Sequence, residues 1–191
     1  MAKKVWKPCN MLAPVPAVLV TVRDLDGNEN VLTIAWAGTV CSDPAMVSVS
    51  IRKERFSHHM ISESGEFVVN LVTEELAQAA DYCGVKSGKD EDKFAAMGLE
   101  KAPGTFVKAP LLKASPVNLE CKVVKVLELG SHDLFIGEIV AVDVDEKLLD
   151  ESGRLQLEKA GLVAYLHGEY YTLGDKLGKF GYTVKKKPAK G

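Results

Sequence analysis

The chain has 191 residues, 47% of them hydrophobic and 26% charged, which is typical of one globular domain whose core needs neither disulfides nor a structural metal. The formal net charge is −2, and four lysines stand near the C-terminus, so the rest of the chain is acidic. An acidic body argues against a nucleic-acid-binding surface, which needs clustered Lys and Arg side chains. We interpret 1–191 as a single domain and 185–191 as a mobile basic tail.

Features that would direct the chain to a membrane or out of the cell are missing from the sequence. The charged N-terminus is followed by neither the apolar run nor the cleavage site of a signal peptide. The apolar stretch 13–22 contains two prolines and is much shorter than the about 20 residues of a spanning helix. The four cysteines form no CxxC pair, which favours reduced, mostly buried thiols. We therefore expect a cytoplasmic protein with no membrane partner.

The first part of the chain predicts short strands that pair locally. Val18–Arg23 and Val31–Trp36 are β-branched runs on either side of an Asp-Gly-Asn turn signal, and they predict a hairpin. Met46–Ile51 alternates apolar and small residues, as a half-buried strand does. A short helix is expected over Arg55–Ser64, where a glycine follows.

The second part predicts more strands and little helix. Thr73 is the expected N-cap of a helix that ends near Tyr82, and Lys93–Met97 predicts one helical turn. The expected strands are Phe67–Val72, Val117–Leu129, Leu134–Val144, Leu162–Leu166 and Glu169–Leu173, with a turn over 130–133. Because strands dominate and pair locally, the sequence predicts a mainly β (α+β) fold, an antiparallel barrel with short peripheral helices.

Motifs with fixed spacing exclude several classes of site. The glycines of 174–181 lack the GxGxxG spacing, and Gly88-Lys89 lacks the preceding glycine of a P-loop. His58 and His59 are adjacent in a predicted helix and point about 100° apart, which favours surface or capping roles over metal ligation. We expect no metal site, and no pattern of residues indicates a hydrolase.

The segment Asn30–Ser57, NVLTIAWAGTVCSDPAMVSVSIRKERFS, is more specific. It resembles the FMN-binding core of the flavin reductase-like family, in particular its flavoredoxin-type members. Similar stretches at 92–94, 132–138 and 165–171 extend the resemblance over roughly residues 10 to 175. The resemblance implies an antiparallel FMN-binding split β-barrel, usually a homodimer with FMN near the interface.

The resemblance also implies which residues meet the flavin ring. An isoalloxazine ring needs an apolar slot with backbone donors, and small side chains let the backbone come close. Trp36 either lines this slot or is a core aromatic, and Asn30 either contacts the flavin or is a turn asparagine. The expected ring contacts are Thr33, Ala35, Cys41 and Ser42.

Cations and hydroxyls in the same pattern would bind the phosphate. Arg52 ends a strand, Ser57 opens a helix whose N-terminus favours anions, and Lys93 matches a lysine of the family. Each charge-assisted hydrogen bond to a phosphate contributes about 1.5–3 kcal/mol. Ser50 faces the same side as Arg52 and is a further candidate.

Two more residues match the family pattern. His132, in the expected turn, is either a donor to flavin or substrate, and then the candidate catalytic residue, or a turn histidine without a ligand. Tyr165 stands where the family often places an aromatic near the flavin, in some cases across a dimer interface.

Three functions are compatible with this resemblance, because the chemistry belongs to the cofactor. We favour an NAD(P)H-dependent reductase that passes electrons from reduced flavin to free flavin, ferric iron or a protein. The alternatives are a flavoredoxin-type carrier reduced by another redox protein, and a flavin-binding module without turnover. The sequence leaves open the choice between NADH and NADPH, the acceptor, and whether FMN is tightly bound or exchangeable.

Overall fold

A computed structural model describes residues 1–184, so the basic tail expected at 185–191 lies outside the described residues. The strands are β1 (Val15–Pro16), β2 (Val18–Arg23), β3 (Glu29–Ile34), β4 (Ala37–Ser42), β5 (Ala45–Arg52), β6 (Glu66–Leu71), β7 (Lys101–Ala102), β8 (Leu111–Leu112), β9 (Val117–Leu129), β10 (His132–Val144), β11 (Val163–Leu166) and β12 (Glu169–Thr172). The helices are α1 (Phe56–Ser64), α2 (Ala77–Val85) and α3 (Lys93–Ala96). Within 1–184, no helix is long and apolar enough to cross a membrane.

Seven strands form one sheet in the order β3-β2-β6-β9-β10-β5-β4, and every pairing in it is antiparallel. Two small sheets, β1-β11-β12 and β7-β8, accompany it. Two short 3-10 turns, Glu146–Leu148 and Leu157–Lys159, follow β10. The mainly β, antiparallel architecture with short helices is therefore confirmed.

The strand β2 separates two parts of the hydrophobic core. Its alternate residues Val18, Val20 and Val22 belong to one core cluster, which also contains Phe67 and residues of β5, β10 and α1. Leu19, on its other face, packs in a second cluster with residues of α2 and α3. Because both faces of β2 are buried, its sequence is a continuous apolar run with one threonine.

Several predicted element boundaries are wrong. Thr73 does not cap α2, because its backbone pairs with Leu162 instead, and the helix begins only at Ala77. His132 lies in β10, opposite Arg52 of β5, because a tight turn at Gly130 and Ser131 already reverses the chain. Tertiary strand pairing overrides the local signal in both places.

The strand β4 and the position of Cys9 were also not foreseen. The residues of β4 are small and lack apolar alternation, so only their pairing with β5 makes them a strand. All four cysteines are free, and Cys83 and Cys121 are buried as expected. Cys9, however, is exposed, because it belongs to an N-terminal segment that lies outside the core.

Candidate functional site

Two clefts adjoin where β5 ends and α1 begins. The polar cleft, of about 430 Å³, is lined by Asn30, Leu32, Arg52, Glu54, Arg55, Phe56, Ser57, Cys83, Lys86, Ser87, Gly88 and Lys93. The aromatic cleft, of about 630 Å³, is lined by residues 9–13, 15, 32–36, 50–52, 55, 132, 165, 167 and 168. They share Leu32, Arg52 and Arg55, so an elongated ligand can occupy both.

The first turn of α1 forms one wall of the polar cleft. Arg55 occupies the N-cap in an extended conformation and makes no side-chain capping bond, so the first-turn N–H groups are not capped by it. Ser57 is buried, and its hydroxyl accepts a hydrogen bond of 2.7 Å from the Asn30 amide. The Ser57 hydroxyl proton and the helix N-terminus are thus available to an anion.

Lys93 brings a buried positive charge to the same cleft. The residue is only 3% exposed, and its ammonium group donates to the backbone oxygens of Cys83 and Lys86, each at 3.3 Å. Burial lowers the pKa of Lys93, and no carboxylate among residues 1–184 forms a salt bridge with it. Because a buried charge without a counter-ion is costly, this arrangement indicates an anionic ligand.

The other cations of the cleft divide into paired and unpaired groups. Arg52 pairs with Glu54 at 3.1 Å, and Lys86 pairs with Glu91 at 3.8 Å. Arg55, like Lys93, forms no ion pair with the part of the chain that the structure describes. Two unneutralised cations therefore face a cleft that also contains a helix N-terminus.

The loop that follows α2 approaches the cleft very closely. A Cβ atom added at Gly88 would lie 2.2 Å from Asn30 Oδ1, so only glycine leaves Asn30 in place against Ser57. Burial raises the pKa of the Cys83 thiol to about 11, so this neighbour adds no negative charge to the cleft. The donor set is accordingly suited to a phosphate group.

Trp36, His132 and Tyr165 line the second cleft together with small and aliphatic side chains. The rings of Trp36 and His132 lie with their centroids 4.7 Å apart at an angle of 39°. Burial and the nearby Arg52 lower the pKa of His132, so its ring is neutral at pH 7 and offers one donor and one acceptor. The Thr33 hydroxyl is already bonded to the Ala80 carbonyl, which leaves the Thr33 backbone for a ligand.

Ten of the twelve residues expected from the sequence line the two clefts. In the polar cleft are Asn30, Arg52, Ser57 and Lys93; Arg52 also lines the aromatic cleft with Thr33, Ala35, Trp36, Ser50, His132 and Tyr165. Tyr165 packs edge-on against Tyr170, with ring centroids 5.4 Å apart.

Cys41 and Ser42 lie outside both clefts. They pair with Met46 and Ala45 at the start of β5, whereas the clefts lie at its end. Strands rise about 3.3 Å per residue, so the length of β5 separates them from Arg52 by roughly 20 Å. Their expected ring contact is therefore not formed within one chain's clefts.

Other cleft residues were not identified from the sequence. Arg55 is the first residue of the predicted helix, and Gly88 lies in a glycine- and lysine-containing loop, so both positions carried a weak signal. The segment 9–13 and the turn 167–168 reach the aromatic cleft only through tertiary folding. His58, expected at the surface or as a cap, instead bonds to Asp133 behind the clefts.

An antiparallel fold with a phosphate-type cleft beside an aromatic cleft fits a flavin-binding redox protein. Residues 11–174 match the family described as flavin reductase like domain, and the chain belongs to this family. Its fold is the split barrel of flavin reductase-like proteins, as expected. A flavin-related redox function follows from this membership.

Three similar proteins illustrate the relationship. Flavoredoxin of Desulfovibrio vulgaris (Miyazaki F) is 36% identical, with a TM-score of 0.89 over 96% of this chain and 100% of that one. Flavoredoxin from Methanosarcina acetivorans is 30% identical, with a TM-score of 0.86 and the same coverage of 96% and 100%. An uncharacterized protein of Archaeoglobus fulgidus is 40% identical over 113 residues, which span 59% of this chain and 64% of that protein.

Proposed function

We propose that the protein is an FMN-binding, NAD(P)H-dependent reductase that passes electrons from reduced flavin to an acceptor such as free flavin, ferric iron or a protein. The phosphate of FMN would occupy the polar cleft, and the ring would lie in the aromatic cleft. The observation that carries the proposal is the pair of unneutralised cations, Arg55 and Lys93, beside the first turn of α1.

The charge of the polar cleft favours FMN over riboflavin. A phosphate monoester carries close to two negative charges at pH 7. Arg55 and Lys93 would balance these charges, while Ser57 and the α1 N–H groups would donate to the phosphate oxygens. Riboflavin has no phosphate and would leave the buried Lys93 ammonium without a counter-ion.

The first test is a fluorescence titration of the protein with FMN and riboflavin at constant ionic strength. We expect FMN to bind at least tenfold more tightly, or to be present already in the purified protein. A colourless preparation that does not respond to added FMN would overturn the assignment.

The second test concerns the electron donor. Bound flavin would supply the redox chemistry, accepting a hydride from the nicotinamide and passing electrons on. The described residues contain no glycine-rich pyrophosphate cradle, so the nicotinamide would bind mainly by stacking in the aromatic cleft. We expect NADH or NADPH to bleach the bound flavin anaerobically. The apparent Kd should be tens of micromolar or weaker, a binding free energy of roughly 6 kcal/mol or less.

A flavoredoxin-type electron carrier is the second candidate, favoured by the similarity to two flavoredoxins. Dithionite would bleach such a carrier, whereas millimolar NADH and NADPH would leave its spectrum unchanged. A flavin-binding module without turnover would transfer no electrons to any acceptor after chemical reduction. Anaerobic mixing with each reductant, followed by each acceptor, separates the three functions.

A homodimer in the cytoplasm completes the proposal. Exposed apolar side chains support the dimer, because β4, β9 and β10 present valines and a leucine to solvent. These residues are Val40, Val124, Val126, Leu129 and Val142, each between 44% and 58% exposed. The free cysteines support a reducing compartment.

A further inference from the structure

A hydrogen bond behind the two clefts joins α1 to β10. The Nε2 atom of His58 lies 2.8 Å from Oδ2 of Asp133. His58 directly follows Ser57 of the polar cleft, and Asp133 directly follows His132 of the aromatic cleft. This contact therefore connects the residue next to Ser57 in the polar cleft with the residue next to His132 in the aromatic cleft.

The surroundings of this pair hold both side chains in place and keep Asp133 ionised. The side chains of Asp133 and His58 are only 8% and 17% exposed, and the His58 ring packs edge-on against Phe135. Burial alone would raise the pKa of Asp133, but the hydrogen bond from His58 and the ion pair with Lys53 outweigh this and lower it. Asp133 is thus a carboxylate at neutral pH, held from the helix side by His58 and from the solvent side by Lys53 at 3.3 Å.

The first turn of α1 has few other attachments. In the described part of the chain, two side-chain hydrogen bonds tie the first turn of α1 to strands: Asn30 of β3 donates to Ser57, and His58 bonds to Asp133 of β10. The remaining side-chain bonds of the helix are local, made by Ser62 and Ser64. Loss of the His58 bond would leave the bond from Asn30 to Ser57 as the one side-chain hydrogen bond between this turn and a strand in the described part of the chain.

We propose that His58 and Asp133 are positioning residues of the flavin site. Neither lines a cleft, so they act through their neighbours: the pair holds Ser57 and the α1 N–H groups toward the phosphate, and it holds His132 toward the ring. This inference rests on the proposed binding of FMN. It predicts that the contribution of the phosphate to FMN affinity depends on the hydrogen bond between His58 and Asp133, although neither residue contacts the ligand.

The experiment compares His58→Leu, which removes the hydrogen bond, with His58→Gln, whose amide nitrogen can replace Nε2 as a donor. The measured quantity is the ratio of the riboflavin Kd to the FMN Kd, which reports the phosphate contribution. We expect His58→Leu to lower this ratio at least fivefold and His58→Gln to restore it to within twofold of the unmodified protein. Lys53→Met, which removes the solvent-side partner of Asp133, is the matched control and should also stay within twofold.

A second measurement tests whether the same hydrogen bond positions His132 in the aromatic cleft. His132→Ala should weaken riboflavin binding in the unmodified protein and have a smaller effect when combined with His58→Leu, because His132 is then already misplaced. If His58→Leu does not fold, as judged by circular dichroism, Asp133→Ala, which removes the acceptor of the same hydrogen bond, replaces it in both measurements.

The outcomes distinguish this inference from the proposed function. If the unmodified protein does not discriminate FMN from riboflavin, the FMN assignment fails. If it does discriminate, but His58→Leu keeps the same ratio or weakens both ligands equally, the positioning role alone is overturned.

Discussion

Among the residues of the polar cleft, Lys93 should contribute most to the choice of ligand, because its charge is buried. Its ammonium group is buried and donates to two carbonyl oxygens, and no carboxylate of the described residues lies within salt-bridge distance of it. We expect Lys93→Met, which keeps the aliphatic stem, to weaken FMN at least tenfold, about 1.4 kcal/mol. Riboflavin binding should change by less than twofold in the same fluorescence titration.

Lys86→Met is the matched control for this substitution. Lys86 lines the same cleft, but it is 54% exposed and already paired with Glu91. Exposed pairs contribute little, so we expect less than a threefold loss of FMN affinity. Equal losses of FMN and riboflavin in Lys93→Met would contradict a phosphate role for Lys93.

A second residue-scale prediction concerns two carboxyl groups far from Lys93 in sequence. Glu120 is fully buried and accepts backbone hydrogen bonds from Thr105, Phe106 and Val107 at 2.7 to 2.9 Å. Burial would raise the pKa of Glu120, but these bonds outweigh it and lower the pKa. Burial and the charge of Glu120 both raise the pKa of Asp143.

The raised pKa of Asp143 determines how its contribution to stability changes with pH. A raised pKa in the folded state means that Asp143 contributes stability below its ordinary pKa of 3.8, and that this contribution is lost as the pH rises through the folded value. We expect Asp143→Asn to raise the Tm at pH 7 by about 2–4 °C, the shift that about 1 kcal/mol produces in a chain of this size. The gain should disappear below pH 3.8 in calorimetric scans; a gain that is independent of pH would refute this origin.

At the scale of elements, the packing of β10 against Phe67 of β6 requires a residue without a side chain at position 137. A Cβ atom at Gly137 would lie 2.6 Å from Cζ of Phe67, a core ring that is fully buried. We expect Gly137→Ala to lower the free energy of unfolding by about 1–3 kcal/mol, as overpacking does. Urea denaturation measures this directly.

Gly38→Ala in β4 serves as the control, since no atom lies within 4 Å of the added Cβ. Its effect should stay within about 0.5 kcal/mol, as at other surface positions. Similar losses at both glycines would show that backbone freedom, not packing on Phe67, governs the cost.

The elements also show where sequence reasoning succeeds and where it stops. The boundaries of β2 and β9 were predicted correctly because the β-branched run of β2, and the valines and leucines of β9 between two turn signals, agree with the tertiary strand pairing. The strand β4 escaped prediction because its small residues carry no periodic signal. Thr73 was wrongly predicted as a helix cap because its local sequence is equally compatible with a strand bridge, which it forms with Leu162.

The same division applies to the candidate site. The segment Asn30–Ser57 carries its signal in one continuous stretch, so most of its residues were found. Arg55 was missed beside them because an isolated arginine is usually a surface residue. The link between His58 and Asp133 spans 75 positions, and only the folded chain brings these residues together.

At the scale of the whole molecule, the exposed valines of β9 and β10 predict self-association. Light scattering should give about twice the chain mass of 20.7 kDa at micromolar concentrations. Burial of these apolar side chains against a second copy would supply the driving force. A mass of 20.7 kDa that does not change with concentration would defeat the dimer.

The position of Trp36 in the aromatic cleft gives the protein an optical reporter of its own. The chain has two tryptophans, and Trp6, 69% exposed, does not line either cleft. Replacing Trp6 with Phe would leave a single fluorophore at the ring end, whose emission overlaps flavin absorption. Arrival and departure of a flavin would then be visible as quenching and recovery of tryptophan fluorescence, in real time and without an added dye.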